Sequence, residues 1–324
     1  MKGHSKRSAA ILGAVVLVAS LAATASAKHY SAWGPAANAE ATPGTSSELN
    51  TPFNDGCPIQ SPDGLSLYMA TNRPGGLGGQ DIWVAHRDSA DVAWGAPEHL
   101  GAPINSAAND FCPTPLHGKR LLFVSERGGA GTCGSGDIYL ARDDPAQGWS
   151  EPQNLGCDVN SSAGEASPSL VEIGGETLLY FSSTRAGGFA AEAPGAAADS
   201  DIYVSTQESD GSFGPAVLVS GLNTASDDFR PNARKDGLEL VFDSNRAGTL
   251  GGQDIWSSTR ASAEDDWSTP LNLGLNVNTP SNETRASLSW DGFTLTFGSN
   301  RPGGEGMADV YESTREQLTG KDAR

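Results

Sequence analysis

The chain has little positive charge and few of the motifs that mark common enzyme sites. It contains 21 Lys and Arg against 39 Asp and Glu, for a formal net charge of −18. A surface of this sign repels phosphate backbones, so nucleic acids are excluded as partners. The sequence also has no G-x-S-x-G nucleophile elbow and no H-E-x-x-H zinc motif. Hydrolase chemistry of those two types is therefore not expected.

Long apolar runs are absent after residue 27. Before that point, three basic residues precede an apolar stretch from Ala9 to Ala23, and Ala25-Ser26-Ala27 follows it. This pattern predicts a secretory signal peptide over residues 1–27, cleaved after Ala27. Because the apolar stretch is short and no second one follows, we expect a periplasmic or secreted protein with no membrane span.

Cysteine is scarce, and its four positions lack the spacing of a zinc site. An exported chain favours disulfides over free thiols. Cys57 and Cys112 occupy the same place in two similar segments, NDGCP and NDFCP, so we expect them to lie side by side. Cys133 and Cys157 would then form the second pair. Free or metal-binding thiols are the alternative.

Helical periodicity is almost absent, and a repeat takes its place. Five units begin at Asn50, Asn105, Asn160, Asn223 and Asn278, with spacings of 55, 55, 63 and 55 residues. Each unit reads as four short strands bounded by Gly, Pro, Asn and Asp. The sequence therefore predicts an all-β fold over residues 28–315, a five-bladed β-propeller with four-stranded antiparallel blades.

The two ends of the repeat region are complementary. The fifth unit lacks the Trp-Ser-x-Pro segment found at Trp149 and Trp267, whereas a similar AWGP segment surrounds Trp33. We therefore expect an N-terminal strand near residue 33 to complete the last blade and close the ring, which removes free sheet edges. The loop 187–200 of the third unit is predicted to be a mobile flap, and residues 316–324 a polar tail. We expect a monomer.

The repeat signature identifies a resemblance. Asn/Ser-Arg, a glycine-rich loop and Asp-Ile-Trp/Tyr follow one another, as in NRPGGLGGQDIW from Asn72, and S-P-D-G precedes a strand. This signature resembles the WD40-like propeller repeats of TolB and of exported bacterial proteins that join such repeats to peptidoglycan-binding domains. The resemblance implies a β-propeller that acts in the cell envelope through protein binding.

Each unit places an arginine before its glycine-rich loop and an aspartate after it. Across a hairpin, two such side chains face one another and can share a charge-assisted hydrogen bond. Their recurrence in all five units favours a structural role. The predicted pairs are Arg73 with Asp81, Arg127 with Asp137, Arg185 with Asp201, Arg246 with Asp254, and Arg301 with Asp309.

An acidic residue stands in the first strand of every unit. These acids are Asp55, Asp110, Glu165, Asp228 and Glu283. Because side chains two apart in a strand share a face, the same face is expected to carry Arg230 and Arg285. If these strands are innermost, the five acids and two arginines are candidates for lining the central channel and for binding a ligand at its acidic mouth. A calcium ion in that mouth is one option; no other cofactor or metal is expected.

These features favour a scaffold over a catalyst. We therefore expect an exported, non-catalytic binding module of the cell envelope, with an envelope protein or a glycan as partner. The alternative is a glycan-active hydrolase, because five-bladed propeller glycosidases take two Asp and one Glu from innermost strands. Asp55, Asp110 and Glu165 would then act as base or nucleophile, orienting acid and general acid. The presence of the acid in all five units favours the non-catalytic interpretation.

Overall fold

The computed structural model describes residues 29–189 and 199–318, which form 23 β-strands and one short 3-10 turn. The described chain begins with β1 (His29–Tyr30), β2 (Ala37–Asn38) and the 3-10 turn (Ala39–Ala41). Blade 1 contains β3 (Asp55–Gln60), β4 (Ser66–Thr71), β5 (Asp81–His86) and β6 (Glu98–His99). Blade 2 contains β7 (Asp110–Leu116), β8 (Arg120–Ser125), β9 (Asp137–Asp144), β10 (Gly148–Trp149) and β11 (Gln153–Asn154).

The remaining blades follow the same plan. Blade 3 contains β12 (Glu165–Ile173), β13 (Glu176–Ser183), β14 (Asp201–Thr206) and β15 (Val217–Leu218). Blade 4 contains β16 (Asp228–Ala233), β17 (Glu239–Ser244), β18 (Asp254–Thr259) and β19 (Leu271–Asn272). Blade 5 contains β20 (Glu283–Leu288), β21 (Thr294–Ser299) and β22 (Asp309–Thr314), and β23 (Gln317–Leu318) follows it. Every pairing within the blades is antiparallel, so the predicted five-bladed propeller is confirmed.

The ring is closed by the N-terminal segment, as the sequence predicts. Strand β2 pairs with β22, with Ala37 opposite Glu312 and Asn38 opposite Tyr311. Trp33 lies just before this strand and is buried in the core of the last blade. The predicted polar tail differs at its start, since β23 pairs with β1. The predicted signal peptide and most of the predicted flap, residues 190–198, lie outside the described residues.

The apolar core lies within and between the blades. The second strand of each blade is covered on both faces by its neighbours and is therefore almost continuously buried, as in Leu121–Val124 of β8. Aromatic rings stack across the second and third strands, as Phe123 does on Tyr139. Among the described residues, no helix has the length and apolar character needed to cross a membrane.

Both disulfides form between the cysteines that the sequence predicts as pairs, the first from the repeat and the second as the remaining pair. Cys57 of β3 is bonded to Cys112 of β7, which links the first strands of blades 1 and 2. Cys133 is bonded to Cys157 on the loops beside β9, with Cα atoms 5.6 Å apart. The first bond lies at the central channel, and the second joins the loop before β9 to the loop after β11. Each therefore ties separate segments of the ring to one another.

Candidate functional site

A β-bulge interrupts the first strand of every blade. In blade 1 the register with β4 shifts between Gly56 and Ile59, and the other four blades show the same shift. The residue two positions after each acid has a φ between 48° and 58°; these residues are Cys57, Cys112, Ser167, Arg230 and Arg285. An extra residue in the strand breaks the alternation of side chains. The acid and the bulge residue therefore do not share a face.

The bulge residues line the central channel, but the acids do not. Asp55 is fully buried, and its Oδ1 accepts a hydrogen bond from Arg73 Nη2 at 2.7 Å. Its Oδ2 accepts from the backbone N–H and the hydroxyl of Thr51, both at 2.7 Å. The same ion pair recurs as Arg127 with Asp110, Arg185 with Glu165, Arg246 with Asp228, and Arg301 with Glu283. The expectation of an acidic channel mouth is therefore wrong, because bonds within each blade occupy these carboxylates.

This arrangement also corrects the predicted arginine pairs. Arg73 reaches back to Asp55 and to the carbonyl of Leu49, rather than across the glycine-rich loop to Asp81. Asp81 instead accepts from the backbone N–H groups of Leu77 and Gly78, at 2.9 and 3.0 Å. The same loop closure is made by Asp137, Asp201, Asp254 and Asp309. The arginine and the second aspartate are both structural, but they stabilise different parts of the blade.

The channel itself is narrow. Its cavity measures only about 30 Å³, and proline rings such as Pro58 and Pro113 line it beside the Cys57–Cys112 disulfide. Arg230 and Arg285 line it as well, as the sequence predicts. Within the described chain, no group of three or more His, Cys, Asp or Glu side chains could hold a metal ion. The acids that the calcium option requires are bound to arginines.

A much larger cleft opens at the end of the channel where the first and second strands of each blade turn. We call it the turn cleft; it measures about 940 Å³ and is lined by the hairpin turns of blades 1, 4 and 5. Trp290 and Phe293 contribute aromatic surface, and Trp290 also contacts the His117 ring edge-to-face at 4.6 Å between ring centroids. Its carboxylates include Asp63 and Glu312. Cationic side chains line the cleft as well, among them Arg87, Arg234 and Lys235, so its surface combines aromatic faces with charges of both signs.

Glu312 is the least expected residue of the turn cleft. It is the fourth residue of the third strand of blade 5, and the corresponding residues in the other blades are Val84, Leu140, Val204 and Ser257. Burial raises the pKa of Glu312, although a hydrogen bond with Trp94 and the charge of Arg87 oppose that rise. Within the described residues, Oε1 of Glu312 is buried and has no hydrogen-bond partner. This carboxyl group therefore stays protonated to a higher pH than an ordinary glutamate.

Asp63 lies in the same cleft and has the opposite character. Its Oδ1 accepts from the Ser61 hydroxyl at 2.6 Å and from the Leu65 backbone N–H at 3.0 Å. These hydrogen bonds lower the pKa of Asp63. Arg87 connects the two acids, because its Nε donates to the Gly64 carbonyl at 2.7 Å and its charge acts on Glu312. The cleft thus contains one carboxyl group that favours protonation and one that favours ionisation.

Glu312 is not recognisable from features that the five units share. Asp63 belongs to the S-P-D-G turn, whose aspartate recurs as Asp236 and Asp291, so the sequence marks it only as a turn residue. The signal for the turn cleft is a departure from the repeat. Glu312 stands where other units have an apolar residue or serine, and Trp290 stands where the turn of unit 1 has Pro62. Such departures mark positions that the repeated blade structure does not itself require.

No protein-family model matches the sequence, and no curated protein matches it. Among solved structures, the xylan β-1,4-xylosidase from Bacillus halodurans C-125 is 16% identical with a TM-score of 0.56, over 85% of this chain and 54% of that one. A thermostable family-43 glycoside hydrolase is 13% identical with a TM-score of 0.53, over 86% and 94%. TolB from Acinetobacter baumannii is 15% identical with a TM-score of 0.42, over 80% and 54%.

The similarities at TM-scores of 0.50 and above agree with the five-bladed propeller fold, and they correct the main functional prediction from the sequence. That prediction, a non-catalytic envelope module, is wrong on this comparison because the structures that share the fold at TM-scores of 0.50 and above include a xylosidase, an endo-arabinase and α-L-arabinofuranosidases. The alternative, a glycan-active hydrolase, agrees better with the comparison. The catalytic residues of that alternative also change, since Asp55, Asp110 and Glu165 are held by arginines.

Proposed function

We propose that the protein is a glycan-active hydrolase that binds its substrate in the turn cleft. The observation that carries the proposal is the pair Glu312 and Asp63, two carboxyl groups in one cleft whose pKa values are shifted in opposite directions. Glycoside hydrolysis generally requires one protonated and one ionised carboxyl group on either side of the scissile bond.

In this proposal Glu312 is the general acid. Its proton passes to the glycosidic oxygen as the bond between that oxygen and the anomeric carbon breaks, so the leaving sugar departs as a neutral alcohol. Burial suits Glu312 to this role because it raises the pKa of the carboxyl group, which then keeps its proton to a higher pH than an ordinary glutamate does. The Arg87 charge then stabilises the carboxylate that remains.

Asp63 is the second carboxylate. Its ionised form either removes a proton from the attacking water or bonds to the anomeric carbon, depending on its separation from Glu312 once substrate is bound. The bonds from Ser61 and Leu65 hold one oxygen of Asp63 in place and favour its charge. Trp290 and Phe293 supply apolar surface for the faces of sugar rings.

The substrate proposed here is a neutral glycan, and the site of action is the periplasm or the cell exterior. The chain carries a strong negative charge, which disfavours polyanionic polymers at the acidic turn cleft. The two disulfides agree with an oxidising compartment. The signal peptide, the monomeric state and the TolB-like character of the repeats remain predictions within this proposal.

The test is release of reducing ends from xylan, arabinan and other neutral polysaccharides by the full-length chain after export. We expect Glu312→Gln and Asp63→Asn each to reduce kcat/KM by about 10²-fold or more. Asp210→Asn is the matched control for Asp63, because Asp210 accepts turn bonds from the hydroxyl and backbone N–H of Ser212 and does not line the turn cleft. Glu98→Gln, on an exposed strand outside the cleft, is the control for Glu312.

The outcomes separate catalysis from structure. Loss of activity in Glu312→Gln and Asp63→Asn, with activity kept in both controls, supports the assignment. Equal loss in Asp63→Asn and Asp210→Asn would mean that both act only through their turns. No release from any polysaccharide by the wild-type protein would reject the hydrolase proposal.

A further inference from the structure

Two arginines lie at the end of the channel opposite the turn cleft. Arg230 and Arg285 occupy the bulge positions of blades 4 and 5, where blades 1, 2 and 3 have Cys57, Cys112 and Ser167. Both line a cavity of about 280 Å³ at the mouth where the glycine-rich loops lie. The unit repeat therefore places two guanidinium groups side by side at one opening of the ring.

Among the residues that the structure describes, Asp243 is the carboxylate bonded to both arginines. Asp243 is fully buried; its Oδ2 accepts from Arg230 Nη1 at 2.5 Å and its Oδ1 accepts from the backbone N–H of Arg285 at 2.8 Å. The acid thus binds the guanidinium of Arg230 but only the main chain of Arg285. Among the described residues, the Arg285 guanidinium forms no ion pair, and its buried Nε has no hydrogen-bond partner.

The surroundings of Arg285 favour an anion. The lining residues of the cavity that the structure describes carry amides and hydroxyls but no carboxylate; they include Asn54, Gln253, Asn282 and Asn300. Burial and the neighbouring Arg230 charge lower the pKa of Arg285 to about 10, so the group is still charged at neutral pH. A buried charge without a partner is costly, and an oxyanion would offset that cost.

The position of Arg285 depends on a glycine in the next blade. A Cβ atom added at Gly56 would lie 2.6 Å from Arg285 Nη1. The other blades have Phe111, Ala166, Phe229 or Thr284 at this place, so unit 1 alone leaves room for the guanidinium. The long side chain of Arg285 can shift if that room is taken. Gly56 thus sets where the free guanidinium lies without itself binding anything.

We propose that Arg285, with Arg230, forms a binding site for a small oxyanion, a carboxylate or a phosphate, at the glycine-loop mouth of the channel. The guanidinium of Arg285 would bind two oxygens of the anion in parallel, and the surrounding amides would donate to the remaining oxygens. The cavity volume suits a ligand about the size of one sugar acid. This site is separate from the turn cleft and does not depend on the proposed hydrolase activity.

The test is isothermal titration calorimetry of the full chain with sodium galacturonate, sodium phosphate and, as the neutral match, galactose, all at one ionic strength. We expect binding of at least one anion, no binding of galactose, and an affinity at least tenfold weaker in Arg285→Gln. Gly56→Ala keeps the charge but displaces the guanidinium, so it should also weaken binding. Arg142→Gln, on an exposed strand end, is the matched control and should bind like wild type.

Each outcome decides the proposal. Comparison of the affinities for galacturonate and phosphate shows whether the site prefers a carboxylate or a phosphate. Unchanged affinity in Arg285→Gln, equal binding of galactose and galacturonate, or no binding of any probe would overturn the site. Circular dichroism of each variant shows whether a loss of binding reflects unfolding; if Arg285→Gln fails to fold, the result with Gly56→Ala decides.

Discussion

The ion pair between Arg246 and Asp228 gives the sharpest test of how the blades are held together. Asp228 is fully buried, Arg246 is 8% exposed, and the arginine also donates to the Leu222 carbonyl at 2.5 Å. Asp228→Asn removes the negative charge but keeps the size of the side chain. The Arg246 charge is then left in the interior without its partner.

The expected cost is large. Removing one partner of a buried ion pair typically destabilises a protein by about 3–5 kcal/mol. Asp228 Oδ2 also accepts from the backbone N–H and hydroxyl of Thr224, at 2.6 and 2.9 Å, and the asparagine oxygen can keep part of this. We therefore expect about 3 kcal/mol for Asp228→Asn. Asp254→Asn, which weakens bonds to Leu250 and Gly251, should cost about 1–2 kcal/mol.

Urea unfolding, followed by tryptophan fluorescence, measures the loss of unfolding free energy in Asp228→Asn and in Asp254→Asn. Double-mutant cycles with Arg246→Gln show how much of each loss comes from an interaction with Arg246. Asp228 and Arg246 should show a coupling energy of about 2 kcal/mol, whereas Asp254 and Arg246 should be additive within about 0.5 kcal/mol. Coupling of Arg246 to Asp254 rather than to Asp228 would support the pairing across the glycine-rich loop that the sequence predicts, and would contradict the structure. A cost below about 1 kcal/mol for Asp228→Asn would refute the argument from burial.

Three further predictions concern the closure, the cleft and the disulfides. Trp33→Ala should destabilise the ring by about 3–5 kcal/mol, because Trp33 is buried against the last blade. Thermal and urea unfolding measure this loss of stability. A loss near zero would mean that the N-terminal segment does not close the ring. Because the folded state raises the pKa of Glu312, this carboxyl group binds its proton more tightly in the folded than in the unfolded chain, and its contribution to stability should fall as pH rises above about 4.5. Urea titrations at several pH values measure the fall, and Glu312→Gln should make it less steep. An unchanged slope in Glu312→Gln would contradict the prediction. Replacing Cys133 and Cys157 by serine should cost about 3 kcal/mol under oxidising conditions, and equal stability would show that the bond does not constrain the unfolded chain.

The repeat made the fold predictable from the sequence. Five repeated units fix the number of blades. The fifth unit lacks its fourth strand-like segment, which identifies the strand near Trp33 that closes the ring. Equivalent positions in neighbouring units lie side by side, so the repeat also placed Cys57 next to Cys112. These inferences succeed because they need only the period of the sequence and not the direction of individual side chains.

The direction of the acids could not be predicted in the same way. A regular strand would place Asp55 and Cys57 on one face, but the bulge turns them apart. Its positive φ falls on Cys, Ser and Arg rather than on glycine, so no residue in the sequence marks it. Because every blade has this bulge, the five acids are buried within the blades, whereas the alternation of a regular strand predicts them in the channel.

The two candidate sites follow from how the chain departs from its own repeat. The residues that all units share, such as the acids bound to arginines, stabilise the blades, and their polar groups are not available to a ligand. Glu312 and Trp290 at one end, and Arg285 above Gly56 at the other, are required by no other blade. The cavity inside the channel, about 30 Å³, is smaller than a sugar ring and lies between the two ends. The acidic turn cleft and the basic loop mouth are therefore independent surfaces, and a ligand at one need not enter the other.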